Sequence, residues 1–390
     1  MGVRCAAAAA GAQAALPETH SPSHSTGARA TLPAAGRGRD AGKGCDHIDI
    51  AKAPVKAPST YPQRTSPCKA ACRWLPQGVA RGRVVGLRML PLLSRLFCAL
   101  PHFWAYRLAD ALAFVWYHLL PVRRAVASRN VARVFGDSLS AAQRRHIVRR
   151  SCVNLCYYGI EALRAPLLTE HSSAELVNNE QMRHVDAYLA AGRGVIAVTA
   201  HLGSFDLLGS SQAMRGYPVH ALLKDIGWPA AARFWRRVRT QSGLGCIAPR
   251  QSARQILRLL RANQVVAFSI DQHLPAHRSI VCRFFGQWAA TTPAPVRFAM
   301  QTGAPIVPIF IVREPQPGYH RIMVLPQLLL EQPYAEARRN VRHNTERLNR
   351  VIESMVVAYP TQWLWQHRRW KVQDNPQGWE LPEDKDAAAS

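Results

Sequence analysis

The stretch VIAVTAHLGSFDLLG, residues 195–209, decides how the chain is read. Val195 to Ala200 is a short continuous apolar run, which predicts a strand buried on both faces. It ends on His201, and Asp206 follows five positions later. On one continuous helix, residues five apart point about 140° away from each other, so the two side chains could not cooperate. If His201 instead sits in a turn and the helix starts near Ser204, Asp206 falls in the first helical turn and faces back. Gly203 gives that turn its freedom, and Ser204 is suited to the N-cap. The Asp206 carboxylate would then hold one imidazole nitrogen and leave the other as a general base. No serine or cysteine nucleophile is needed, so direct transfer onto a hydroxyl follows naturally.

Working outward, strand-like runs recur at 195–200, 218–223, 264–270, 305–312 and 321–325. Helical patterns lie between them at 205–215, 229–241, 251–262 and 293–302, and a last helix at 335–358 repeats Val341, Thr345, Leu348, Ile352 and Met355. This alternation predicts an α/β fold whose mainly parallel sheet is flanked by helices. In such sheets ligands gather beyond the carboxyl ends of the strands. Three runs end on polar residues there, namely His201, Asp271 and Arg313.

Upstream, 138–165 reads as one strongly basic helix capped by Ser138 or Ser140. Before it, residues 84–125 are the most apolar part of the chain, interrupted by Pro91, Pro101, Arg88, Arg95, Arg107 and Asp110. No window offers the ~18–20 uninterrupted apolar residues of a spanning helix. Trp104, Tyr106, Trp116 and Tyr117 beside Arg123 and Arg124 suit a helical segment lying at a membrane interface; a pair of core helices with surface arginines fits the same pattern. Residues 1–80, rich in Ala, Gly, Pro and Ser, read as a disordered low-complexity extension. The expected organisation is therefore an extension at 1–80, membrane-associating helices at 84–125, a catalytic domain at 126–371 and a flexible tail at 372–390.

The sequence carries 50 Lys and Arg against 24 Asp and Glu, a formal charge of +26. Such a surface favours an anionic partner: nucleic acid, an anionic membrane face or an acidic carrier protein. A nucleic-acid binder should show a reading element such as an aromatic RNA-recognition motif or a zinc finger; none is present, and no nucleic-acid partner is expected. The nine cysteines include the pairs Cys68–Cys72 and Cys152–Cys156 without further ligands at zinc spacing, so no metal is expected. No G-x-S-x-G elbow marks an α/β-hydrolase.

His201-x4-Asp206 by itself describes a local hydrogen-bonded pair as well as a catalytic one. Further stretches extend the reading. SRNVARVFGDSLSAAQRRHIVRRS (128–151), RFFGQWAATTPAPVRFAMQTGAPIVPIFIVR (283–313) and YPTQWLWQHRRWK (359–371) together resemble the lipid A biosynthesis (lauroyl/myristoyl) acyltransferases, a branch of the H-x4-D/E glycerolipid acyltransferase superfamily. The resemblance runs from about 84 to 371 in order and spacing. It implies that His201 and Asp206 are the catalytic base and its orienting acid, and that Arg239 and Asp271 bind substrate. Arg239 would hold a phosphate, with Asp271 orienting it or a substrate group; a solvated basic face and a turn cap are the plainer roles of these two. Phe284, Phe285 and Trp288 either line an acyl channel or belong to the core. Two positions depart from the branch: Asp206 stands where most members have Glu, and His273 where a second acid is usual. The resemblance further implies an acyl carrier protein or acyl-coenzyme A donor, a membrane lipid acceptor such as a lipid A precursor, no cofactor, and the cytoplasmic face of a bacterial inner membrane. Arginines facing anionic lipid would contribute about 1 kcal/mol each near the surface.

Overall fold

The computed structural model describes residues 82–222, 229–248 and 252–382; the extension expected at 1–80 and the last part of the expected tail lie outside them. Seven strands form one sheet in the order β1 (Val177–Asn178), β9 (His320–Val324), β8 (Ile306–Arg313), β2 (Val195–Thr199), β5 (Val265–Ser269), β3 (Val219–Leu222), β4 (Gly245–Ile247). Every pairing is parallel except β8 with β9. All five residues of β2 are buried, as are the first seven of β8, which is why these runs are continuously apolar rather than alternating. The mainly parallel sheet expected from the alternation is what forms.

Helices cover both faces. One core collects Ile196, Val198, Phe268 and Phe310 from the sheet with Leu348 and Ile352 of α11 (Ala337–Ala358). The other collects Val195, Ala197, Val307 and Ile309 with Val185 and Leu189 of α6 (Arg183–Ala190). Ser140 caps α4 (Ala141–Arg164) through a capping box with Gln143. Short β1 and β4 escape sequence patterning because strands of two or three residues carry no period. A hairpin of β6 (Ile280–Phe284) and β7 (Gln287–Thr291) was likewise not foreseen; its two-residue turn places Phe285 and Gly286 at positive φ. Phe284 lies in the core, fully buried, and does not line a channel.

The helices α1 (Gly82–Ala99) and α2 (His102–His118) are tied to this body. Ala105, Tyr106 and Ala109 of α2 pack with Tyr157, Ile160 and Leu163 of α4. Their outer side leaves Leu92, Leu96, Phe103, Trp104, Leu112 and Phe114 exposed. Among the described residues, no helix is long and apolar enough to cross a membrane. Within the tail expected at 372–390, Val372 is buried with Val281 and Ala290, and Trp379 packs against them.

Pro308 shapes the site. The ladder between β2 and β8 runs from Ile196–Ile306 to Val198–Pro308, and β8 then continues to Arg313 paired with β9 alone. Lacking an N–H, proline suits the end of such a ladder. Beyond it the turn after β2 lies over β8: a Cβ on Gly203, whose φ is +57°, would stand 2.5 Å from the carbonyl oxygen of Ile311. Only glycine satisfies both that approach and that dihedral.

Candidate active site

β2 and β5 are neighbours in exact parallel register, with Thr199 opposite Ser269. Two residues further on, their ends bring His201 and Asp271 to the same level. His201 Nδ1 lies 2.7 Å from Asp271 Oδ1, and the His201 backbone N–H donates to Oδ2 at 2.9 Å. Trp363 Nε1 donates to the same Oδ2 at 2.9 Å. The acid that holds the imidazole is thus Asp271. Asp206, for which that task was expected, makes no hydrogen bond to the ring among the described residues; Phe205 stands edge-on to His201 instead, with ring centroids 4.7 Å apart.

Asp271 is 2% exposed, and its oxygens accept from His201 and Trp363. Burial alone would push its carboxyl up, but the His201 charge, the two His201 hydrogen bonds and Trp363 hold it well below the usual carboxylate range. For His201, burial disfavours the imidazolium; the Asp271 charge and hydrogen bond, with the charge of Asp206, outweigh it and leave the imidazole more basic than an ordinary histidine. A carboxylate only accepts hydrogen bonds, so Nδ1 carries the proton and Nε2 has a free lone pair.

Asp206 sits in the first turn of α7 (Phe205–Met214), as expected, and Ser204 is the N-cap residue, though its side chain makes no cap bond. The Asp206 carboxylate accepts from Arg239 Nη2 at 2.7 Å and Nε at 3.2 Å on Oδ1. On Oδ2 it accepts from Tyr158 at 2.7 Å and Trp235 at 3.2 Å. Arg239, on α8 (Pro229–Gln241), is therefore taken up by an ion pair with Asp206 rather than by Asp271, and is 13% exposed. Tyr158 is kept protonated by burial and by the Asp206 charge, its hydroxyl raised well above the usual phenol range. Tyr158 and Trp235 belong to this cluster and were not singled out from sequence. Both are aromatic residues within otherwise ordinary helical patterns.

Of the turn's amides, that of Gly203 donates to Gln362 O at 3.1 Å. Arg313, the third polar strand end, is turned away into a buried pair with Glu161 of α4, which also accepts from Tyr106 of α2 at 2.6 Å. That pairing fastens α2 to the sheet. The C-terminal stretch closes the other side, with Leu364 N bonded to His201 O at 3.1 Å.

Beside Asp206 lies a largely apolar cavity of about 260 Å³, whose walls include Ala162, Leu168, Leu176, Leu207, Trp235 and Val238. Tyr158 lines it and stacks on Phe205 at 4.4 Å. Ring contacts thus lead from the cavity through Tyr158 and Phe205 to His201.

Residues 89–372 match the family described as bacterial lipid A biosynthesis acyltransferase. The chain is 24% identical to the lipid A biosynthesis lauroyltransferase of Escherichia coli K12 over 290 residues, covering 73% of this chain and 90% of that protein. It is 23% identical over 251 residues to the lipid A biosynthesis palmitoleoyltransferase of the same organism, covering 64% and 79%. A phosphatidylinositol mannoside acyltransferase of Mycolicibacterium smegmatis is 23% identical over 185 residues, covering 46% and 60%.

Proposed function

Because the chain belongs to the bacterial lipid A biosynthesis acyltransferase family and is an O-acyltransferase acting on a lipid acceptor, we propose that His201 is its general base, positioned by Asp271, and that a lipid A precursor is its acceptor. The observation that carries this reading is the His201–Asp271 pair at adjacent strand ends, with Nε2 free and the apolar cavity nearby. The acceptor oxygen bonds to the thioester carbonyl carbon while its proton passes to Nε2. The C–S bond then breaks, and the departing thiolate takes that proton back. The raised basicity of His201 favours the first transfer. The acyl chain of an acyl carrier protein or coenzyme A thioester lies in the cavity, where Asp206, fixed by Arg239, Tyr158 and Trp235, forms part of the wall.

Among the described residues no acceptor is bonded to the amides of Ser204, Phe205 and Asp206, and these supply the donors for the tetrahedral oxyanion. The exposed apolar side of α1 and α2 rests on the cytoplasmic face of a bacterial inner membrane, where the excess of arginine meets anionic lipid. The likeness to a phosphatidylinositol mannoside acyltransferase supports a second acceptor class, a different phosphorylated glycolipid.

The experiment is acyl transfer from labelled acyl carrier protein to bacterial lipid extract, with products identified by mass, for wild type and His201→Ala. A new acylated glycolipid whose rate falls by about a hundredfold or more in the variant is the expected result. Equal product from both proteins would remove His201 as the base.

A further inference from the structure

A second recess, with His273 on its wall, is built from chemistry opposite to that of the apolar cavity. A groove of about 500 Å³ is lined by Arg129 of α3 (Arg124–Phe135), by His273, and by Arg368, Lys371 and Trp379 of the C-terminal segment. Arg129, Arg368 and Lys371 make no ion pair among the described residues. The acid on its wall, Asp374, is matched by Arg133 at 2.6 Å. The groove therefore presents three unmatched cations. His273 Nδ1 is buried without a hydrogen-bond partner among the described residues. Burial, with the charges of Lys371 and Arg369, pushes the His273 imidazole down to about 4, a further sign of positive potential in this region.

Its position relative to the reacting group is fixed by the chain. His273 follows Asp271 by two residues, so their Cα atoms are at most about 7.6 Å apart, and Asp271 is bonded to His201. The His273 backbone N–H also donates to His367 Nε2 at 2.9 Å, tying the groove wall to the segment that closes over His201. Contacts run from the apolar cavity through Tyr158 and Phe205 to His201 and Asp271, and two residues of chain lead from there to His273 on the wall of the cationic groove. A thioester built on phosphopantetheine has the same order of parts: an apolar chain, a reactive carbonyl, a flexible amide arm and a phosphate.

We propose that this groove receives the phosphate of a phosphopantetheine-bearing acyl donor, with Arg129, Arg368 and Lys371 as its contacts, while the acyl chain runs the opposite way into the cavity beside Asp206. The assignment rests on the reading of the chain as a thioester-dependent acyltransferase. It adds the place where the donor, rather than the acceptor, is held. Charge-assisted bonds to phosphate are the strong class of hydrogen bond, and three cations on one groove suit a dianion. The phosphate of a glycolipid headgroup carries the same chemistry, and the test separates the two sources.

The test has a binding arm and a kinetic arm, both on the full chain in detergent micelles, comparing wild type with Arg368→Gln/Lys371→Gln and, separately, with Arg129→Gln. All three side chains are exposed, so the variants are expected to keep wild-type circular dichroism. By calorimetry, 4′-phosphopantetheine should bind wild type about tenfold or more tightly than pantetheine, and the double variant should remove that preference. Equal affinities in wild type overturn the proposal. In turnover, the double variant should raise the KM for acyl-phosphopantetheine about tenfold with little change in kcat, and leave the KM for acyl-pantetheine and for the acceptor unchanged. A raised acceptor KM with donor discrimination intact also overturns it, and assigns the groove to a headgroup phosphate. Preferential binding of phosphopantetheine without any acyl transfer would sustain the groove and refute the reaction.

Discussion

His201 Nδ1 lies 2.7 Å from Asp271 Oδ1, although 70 residues separate them. The bond exists because β2 and β5 pair in register and both stop at the same level. Replacing Asp271 by Asn keeps the shape but loses the charge and allows the wrong tautomer. Acyl transfer is expected to fall by about a hundred- to ten-thousandfold in kcat, with donor and acceptor KM little changed. Steady-state kinetics measure it, and an Asp271→Asn enzyme at wild-type rate would leave the pair without a role.

The same pair sets a pH dependence. A general base must be neutral, and His201 titrates above an ordinary histidine, because Asp271 and Asp206 outweigh the effect of burial. The acid limb of kcat/KM is therefore expected to rise above the usual histidine value of about 6.5. In Asp271→Asn, burial becomes the dominant influence and the limb should move to lower pH, even as the maximum falls. A pH–rate profile of both enzymes checks the direction of this shift, which simple loss of folded protein would not produce.

Asp206 and Arg239 make a mostly buried ion pair, with side chains 19% and 13% exposed. Removing either partner leaves the other poorly solvated. Asp206→Ala and Arg239→Ala are each expected to lower unfolding free energy by about 3 kcal/mol, read from denaturant titration. His201→Ala, in contrast, should cost activity with much less stability. If Asp206→Ala proved as stable as wild type while activity vanished, Asp206 would have a direct chemical role beyond positioning.

Gly203 faces the Ile311 carbonyl at a φ of +57°. Gly203→Ala introduces both a backbone clash and a strained dihedral, so a loss of about 2 kcal/mol or more is expected. Because the turn carries His201, transfer should fall along with stability. Chemical denaturation and an activity assay on the same preparation will show whether the two losses move together.

On the outer side of α1 and α2, Leu96, Phe103, Trp104 and Leu112 are between 45% and 64% exposed. The double variant Trp104→Glu/Leu112→Glu should lose sedimentation with anionic phospholipid vesicles, while transfer to detergent-dispersed acceptor stays within about twofold, since surface changes away from buried features are mild. Unchanged vesicle binding would place the membrane contact elsewhere.

Much of the architecture can be read directly from residue order. Buried parallel strands must be continuously apolar, and helices between them must be amphipathic, so β2, β3, β5, β8 and β9 stand out without any knowledge of their partners. Of the polar residues ending three of those runs, His201 and Asp271 meet while Arg313 turns to Glu161, and the C-terminal aromatic and basic stretch packs against the His201 turn. Which polar groups meet is a different matter. The register of β2 on β5 joins His201 to Asp271, the ladder ending at Pro308 makes room for the Gly203 turn, and α8 carries Arg239 to Asp206. Each of those contacts is long-range, and no local period encodes it. The spacing of His201 and Asp206 put both at one turn; the packing of strands and helices alone decided that Asp271 holds the imidazole and that Asp206 is itself held by Arg239.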